Sequence, residues 1–305
     1  MKILLYLKSG AGRSFNAWRG ILITWVTVLF LISLLVLPVK SGFKGMLGSS
    51  MITEQLKDTV NIDVISDLQQ EIGAILPVIG AGFLLVCFFG FLLNIFLTGG
   101  IFTLLSNKQS SKSSSLFFSG GASNFWSFLI INVIITAIII LSVIVISVIP
   151  IMILSQSNSG NPEPGIMGKT VRIALIILAL LLPVLLLVAD YARAWQADNS
   201  EKKPFKAIGF GFMRTFKTFF LSYPLMLTVI LVQAGYGALV IYKLMPAKPS
   251  AAGDVFLFFM LSQLLFIIKI LMRIWRYGCI TSAFEDVIAV QKDYQDMTGE
   301  VVSPV

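Results

Sequence analysis

Long apolar runs alternate with short polar stretches along most of this chain. The runs cover roughly Trp18–Leu37, Ile72–Leu105, Phe125–Leu154, Val171–Trp195, Phe219–Tyr242 and Val255–Trp275. Each is near or above the ~20 apolar residues that an α-helix needs to cross the hydrocarbon core of a bilayer. A helix also satisfies its backbone groups within its own segment, which lipid demands. The pattern therefore predicts an all-α, polytopic membrane protein with six transmembrane helices. The first run follows Lys2, Lys8, Arg13 and Arg19, as a signal peptide would. It is longer than a signal-peptide core, however, and Pro38-Val39-Lys40 follows it in place of a small-residue cleavage site, so it reads as an uncleaved helix.

The polar breaks repeat. Ser14-Phe15-Asn16-Ala17-Trp18, Asn124-Phe125-Trp126-Ser127-Phe128 and Thr215-Phe216-Lys217-Thr218-Phe219 open the first, third and fifth runs. Asp190-Tyr191-Ala192 closes the fourth run and Arg276-Tyr277-Gly278 the sixth, with Thr98-Gly99-Gly100 a less similar close to the second. Three helical hairpins, each with an interfacial lead-in, account for this spacing; an aromatic belt at the interface would also favour Phe and Trp at these positions. Segment 204–218 places Phe205, Ile208, Phe212 and Phe216 opposite Lys206, Arg214 and Lys217, the pattern of a basic amphipathic helix on anionic headgroups. Segment 2–9 is a shorter version. The Ser- and Gly-rich segment 107–123 reads as a looser loop.

The longest outer loop contains a second amphipathic segment, 50–72. Its apolar residues recur every four positions from Ile52 to Ile72, and Glu54, Asp58, Asp63, Asp67 and Glu71 occupy another face. That acidic face is either simply solvated or a docking surface for a periplasmic partner. The expected organisation is one transmembrane domain over residues 1–285 and a polar cytoplasmic tail over 286–305 that prolongs the last helix briefly.

Composition sharpens the class. The chain is 57% hydrophobic and 12% charged, with a mean hydropathy of +0.90; soluble domains carry roughly 25% charge. The formal net charge of +8 sits mostly at helix ends and not in a patch, which argues against nucleic acid. Basic residues such as Lys8, Arg13, Arg19, Lys203, Lys206, Arg214, Lys217 and Arg276 crowd one set of loops, and the acidic segment 50–72 lies in the other. The positive-inside rule then puts both termini in the cytoplasm. Cys87 and Cys279 both fall in apolar runs, as two small buried hydrophobes would.

With no histidine in the chain, the Ser-His-Asp triad, the Cys-His pair and the histidine metal site are all excluded. Neither a phosphate-binding loop nor a dinucleotide fingerprint is present. No catalytic, cofactor or metal residue is assigned. The candidate site is instead a group of charged residues at membrane depth, Asp190, Arg193, Lys269 and Arg273, because burying such groups is costly. Asp190 and Arg193 are spaced to pair locally. Lys269, Arg273 and Arg276 share one stripe. They either snorkel to the interface, or Asp190 bridges to Lys269 or Arg273 and locks the second and third hairpins together. Gly80, Gly82, Gly90, Asn94, Gly99 and Gly100, and Gln233, Gly235 and Gly237, suggest close helix packing. Pro77, Pro150, Pro183 and Pro224 are candidate kinks.

Trp18-Arg19-Gly20-Ile21-Leu22, Gly48-Ser49-Ser50-Met51-Ile52, Leu97-Thr98-Gly99-Gly100-Ile101 and Ala189-Asp190-Tyr191-Ala192-Arg193, with their spacing, resemble a group of six-helix bacterial inner-membrane proteins. That group is loosely similar to the membrane portion of glycerophosphodiester phosphodiesterases, whose phosphodiesterase residues this chain lacks. The resemblance implies a bacterial cytoplasmic membrane and no activity. The expectation is a non-enzymatic accessory or scaffold subunit of an envelope membrane complex, with membrane lipids and other membrane or periplasmic proteins as partners. A transporter or lipid-handling protein is the alternative.

Overall fold

The computed structural model describes residues 2–47, 62–107, 114–157, 164–199, 203–244 and 252–298. Among them the secondary structure is helical and no strand occurs. The helices are α1 (Lys2–Asn16), α2 (Trp18–Leu47), α3 (Ile62–Ser106), α4 (Ser114–Val143), α5 (Ile149–Ser157), α6 (Pro164–Asp198), α7 (Pro204–Lys217), α8 (Phe219–Leu244) and α9 (Ala252–Thr298). Five segments are long and apolar enough to cross a membrane: Gly80–Ser106, Ser114–Leu154, Met167–Asp198, Phe219–Leu244 and Gly253–Ala289. α1 with Trp18–Leu34 makes a sixth if this pair, bent by 65°, counts as one span.

Local chemistry explains the breaks. The Thr218 hydroxyl bonds the Arg214 carbonyl at 2.9 Å, a local bond that competes with the helical ladder where α7 gives way to α8. α4 passes into α5 through a π-helical turn, Ile144–Val148, in which the Ile149 amide donates to the Ile144 carbonyl. Pro150 follows directly. Its ring has no N–H and crowds the carbonyl four residues back, Ile146, so the extra residue of the π turn sits where the ladder is already interrupted.

Two compact units emerge, residues 1–22 with 95–305, and residues 23–94. In the smaller unit, Gly90 faces Leu31, and a Cβ there would lie 3.1 Å from its Cδ2. Cys87 is exposed, which corrects the expectation of a buried thiol; Cys279, in the larger unit, is buried as expected. The exposed Cys87 stands among exposed Phe83, Leu84, Leu85, Phe88 and Phe89, an apolar surface suited to lipid.

The larger unit is built on three helix joints of one kind. α1 lies on α9, the first turns of α4 lie on α3, and α7 lies on α6. A Cβ on Gly10 would come within 2.5 Å of the Cys279 Sγ and 2.6 Å of its backbone nitrogen. One on Gly100 would come within 2.7 Å of the Phe117 carbonyl, and one on Gly211 within 2.5 Å of the Val188 carbonyl. Such approaches require glycine, and they let backbones touch. In each lead-in a buried polar residue follows a contact glycine by four positions: Ser14 after Gly10, Asn124 after Gly120, Thr215 after Gly211.

Two expectations are revised by these joints. Residues 114–123 are not loop but the opening of α4, with Phe117, Gly120 and Gly121 buried against α3. α1 is not a short surface strip but fifteen residues long. It is fixed to α9 by Tyr6–Asp286 (3.0 Å), Ser9–Ser282 (2.9 Å), the Trp275 indole on the Leu7 carbonyl (3.0 Å) and the Arg13–Glu285 ion pair (2.5 Å). Asp286, the first residue of the expected tail, is thus tied to α1 though itself exposed, and α9 runs on to Thr298.

Burial is graded along the helices of this unit. α6 is buried from Leu187 to Gln196, and Ile173, Leu175, Ile176 and Leu180 on its other half are exposed. α9 is buried from Tyr277 to Phe284 and exposed at Val255, Phe256 and Leu257. α8 is buried at Ser222, Leu225, Met226 and Val229 and exposed at Leu231, Leu239 and Ile241. The glycines of the exposed halves, Gly168, Gly235 and Gly237, have nothing within 4 Å of a built Cβ among the described residues, so Gly235 and Gly237 are not themselves the points of close approach that their size suggested. We call the buried end the packed end.

The joints set a test. Gly10→Val and Gly211→Val overpack a backbone contact, and each should lower unfolding stability by about 1–3 kcal/mol or more in detergent. Gly12→Ala, in open space on the same α1, should be neutral or stabilising by up to ~1 kcal/mol, since Ala is the better helix former. Thermal unfolding followed by circular dichroism checks all three.

Candidate functional site: a buried ion cluster at the packed end

The last turns of α6 are a run of small and apolar residues, Leu187, Val188, Ala189, Tyr191, Ala192 and Ala194, all buried. The alanines let neighbours approach closely, and Asp190 lies in their midst with no exposed surface. A lone carboxylate there would be severely destabilising. Arg193, three residues on, donates from Nη1 to its Oδ1 at 2.8 Å. Arg276 of α9 places Nε 3.0 Å from Oδ2. The second amino group of Arg193 donates to the Asn132 side-chain oxygen on α4. One carboxylate therefore ties α4, α6 and α9 together.

Tyr277 spreads the cluster further. The Arg276 guanidinium lies 4.9 Å from its ring centroid and that of Arg273 lies 5.6 Å away. Arg273 donates from Nε to the Tyr277 hydroxyl oxygen at 2.9 Å and from Nη2 to Thr98 of α3 at 3.4 Å. The Tyr277 ring packs on Phe102 with centroids 4.8 Å apart. On the other side of Asp190, the hydroxyls of Tyr191 and Ser222 meet at 2.6 Å and those of Ser222 and Thr218 at 2.9 Å, joining α6 to α8. Gln233 and Tyr236 of α8 donate to the Met272 and Leu265 carbonyls of α9 at 2.8 and 2.7 Å. On α7, Arg214 keeps Nε buried with no hydrogen-bond partner, and burial draws its pKa below the ordinary arginine value.

Of the four anticipated residues, Asp190 and Arg193 pair as their spacing suggests. Arg273 joins through Tyr277 and Thr98, whereas Lys269 is exposed on α9. The local pair and the inter-helix bridge expected as alternatives coexist, but the bridge uses Arg276 and not Lys269 or Arg273. Arg276 lies nearer the packed end, level with Asp190. Of the acidic outer face, Glu54 and Asp58 lie outside the described residues. Asp63, Asp67 and Glu71 fall on the first turns of α3, where the described structure is backbone alone.

Sequence reasoning missed Asn132, Tyr277 and the pairing role of Arg276. A signal was present: Tyr277 follows Arg276 as Tyr191 follows Asp190, so the two helix ends carry opposite charges at matching positions. Chemically, both oxygens of Asp190 are engaged by guanidiniums. Among the described residues no three His, Cys, Asp or Glu side chains gather as a metal site would need.

Removing the negative charge leaves Arg193 and Arg276 uncompensated. Asp190→Asn should cost about 3–5 kcal/mol of stability, whereas Lys269→Gln, on the surface of α9, should stay within about 0.5 kcal/mol. Thermal unfolding in a neutral detergent distinguishes the two.

Compared with protein-family models, curated proteins and solved structures, the chain finds no match.

Proposed function

We propose that this is a non-enzymatic integral membrane protein, an accessory or scaffold subunit of an envelope membrane complex. The observation that carries this reading is the contrast between the two ends of the larger unit. At the packed end every anticipated polar group except Lys269 holds one helix to another, which leaves little for chemistry. Along the exposed halves, long apolar faces with open glycines at 168, 235 and 237 could admit the backbone of another transmembrane helix. In this reading the chain has six spans arranged as three hairpins in a bacterial inner membrane, both termini are cytoplasmic, and nucleic acid plays no part. The packed end is then the cytoplasmic end, because Arg13, Lys203, Lys206, Arg214 and Lys217 cluster there.

A second reading, transport or lipid handling, is favoured by one feature, the basic stripe of Lys269, Arg273 and Arg276 on α9. Affinity purification of the tagged chain from native membranes in mild detergent separates the two. The scaffold reading expects a stoichiometric membrane or periplasmic partner, and a lone particle carrying co-purified lipid would sink it. A Lys217→Cys variant on a Cys-free background tests orientation: a membrane-impermeant maleimide should label it only after the inner membrane is opened, and labelling of intact spheroplasts would reverse the topology.

A further inference from the structure

α1 is held to α9 differently from the way α7 is held to α6. The buried residues of α1 are Tyr6, Gly10 and Ser14. Leu4 and Leu5 are exposed, and no aliphatic side chain of the helix is buried. α7, by contrast, buries Ala207 and Ile208. It also sets Phe210 between Trp195 of α6 and Phe284 of α9, with ring centroids 6.1 and 5.8 Å apart. A helix with few buried apolar contacts is the kind that opens locally, at a free energy below that of global unfolding.

The seat of α1 is polar and partly wet. Arg13 donates from Nη1 and Nη2 to the two Glu285 oxygens at 2.5 and 2.7 Å, and the two side chains are 15% and 27% exposed. Nη1 also reaches the Leu105 carbonyl of α3 at 3.2 Å. Asp286, which accepts from Tyr6, is exposed. Water can take over such bonds when the helix lifts, so breaking them costs little net. The far end of α1 is pinned instead. Ala17, where the chain bends by 65° into α2, is buried, and so is Ile21. A Cβ on Gly20 would lie 3.2 Å from Leu104 and 3.6 Å from Phe117. The Ala17 and Ile21 amides carry the helical ladder through the bend, to the Arg13 and Ala17 carbonyls at 3.0 and 3.3 Å. A loosely seated arm on a fixed pivot at an element terminus is the anatomy of a hinge. Where the arm rests, Gly10 covers Gly278 and the Cys279 thiol, which is buried.

We propose that α1 is a hinged strap. It swings off α9 about Ala17 as one unit while the rest of the larger unit stays folded, and it thereby uncovers the groove at Gly278 and Cys279. The Arg13–Glu285 fork is its clasp. The pairs that Asp190 and Arg193 make join α4, α6 and α9 and do not involve α1, so they hold the packed end together while the strap is open. This inference is independent of whether a protein partner exists.

The test is modification of Cys279 by N-ethylmaleimide in the full chain, in a nonionic detergent. A Cys87→Ser background leaves Cys279 as the one thiol. Labelling is followed along a urea series, with circular dichroism in parallel. A strap predicts labelling well below the urea concentration at which the helical signal is lost. Its urea dependence should be shallow, because little surface is exposed when one short helix lifts. Without urea, Glu285→Gln should speed labelling by roughly fivefold, the weight of a well-made, partly exposed ion pair, and Arg13→Gln should match it. Lys269→Gln, elsewhere on α9, should label at the parent rate. If Cys279 becomes reactive only in step with the loss of helical signal, α1 is a fixed joint and the proposal fails. It fails equally if both clasp variants, folded by circular dichroism, label no faster than the parent. The urea profile of the parent decides the question even where a clasp variant does not fold.

Discussion

A carboxylate with no access to water must be neutralised where it stands, and most of the larger unit is arranged around that requirement. Arg193 and Arg276 reach Asp190 from either side. Arg193 reaches it through local helix geometry. Arg276 reaches it only if α9 lies beside α6 at one register, so the ion pair fixes the translation of one helix along the other. In lipid, apolar contacts discriminate poorly between registers, because a Leu is as well solvated by acyl chains as by another Leu. A single buried charge pair discriminates strongly. The cluster is therefore better understood as a register device than as a source of net stability, in line with the general behaviour of buried ion pairs.

The glycine joints complement it. Ion pairs set sliding, and glycines set separation. Where Gly10 meets Gly278, and where Gly211 meets Val188 and Ala192, the helices approach until backbone atoms touch. Dispersion and weak polar contacts then replace the hydrophobic driving force that a bilayer does not supply. Each joint docks a lead-in helix onto the end of a long one, and the same short pattern recurs at each, with a polar residue four positions past a glycine. The two short helices still expose Phe15, Phe205, Phe216, Lys8, Lys206 and Lys217. That combination of aromatic and basic groups suits the headgroup layer.

Much of this was legible in the sequence, for identifiable reasons. Apolar length alone identifies the membrane-crossing segments, because bilayer thickness is a fixed ruler. The lead-ins were visible through Ser14-Phe15, Asn124-Phe125 and Thr215-Phe216, and the Asp190–Arg193 pair through its spacing. What could not be read was which elements touch. The stripe of Lys269, Arg273 and Arg276 presents three cations, and only the axial level of α9 against α6 decides that Arg276 is the one opposite Asp190. Residues 114–123 read as loop because Ser and Gly are weak helix formers, but Gly120 and Gly121 are the residues that allow α4 to begin against α3. Gly235 and Gly237 invited the opposite error: small residues are necessary for close packing, and in this chain they stand open.

The docking of α1 onto α9 joins the two extremes of the described chain. Arg13 and Glu285 are 272 positions apart, and the groove that receives Gly10 is made by Gly278 and Cys279. During synthesis, at about 5–20 residues per second, α1 waits on the order of tens of seconds before its seat exists. Over that interval the Arg13 guanidinium can reach the Leu105 carbonyl of α3, 3.2 Å away in the finished structure, but Glu285 is not yet made. Docking of α1 therefore cannot close until α9 has been made, and a nascent chain stalled before α9 would hold an amphipathic helix without its seat.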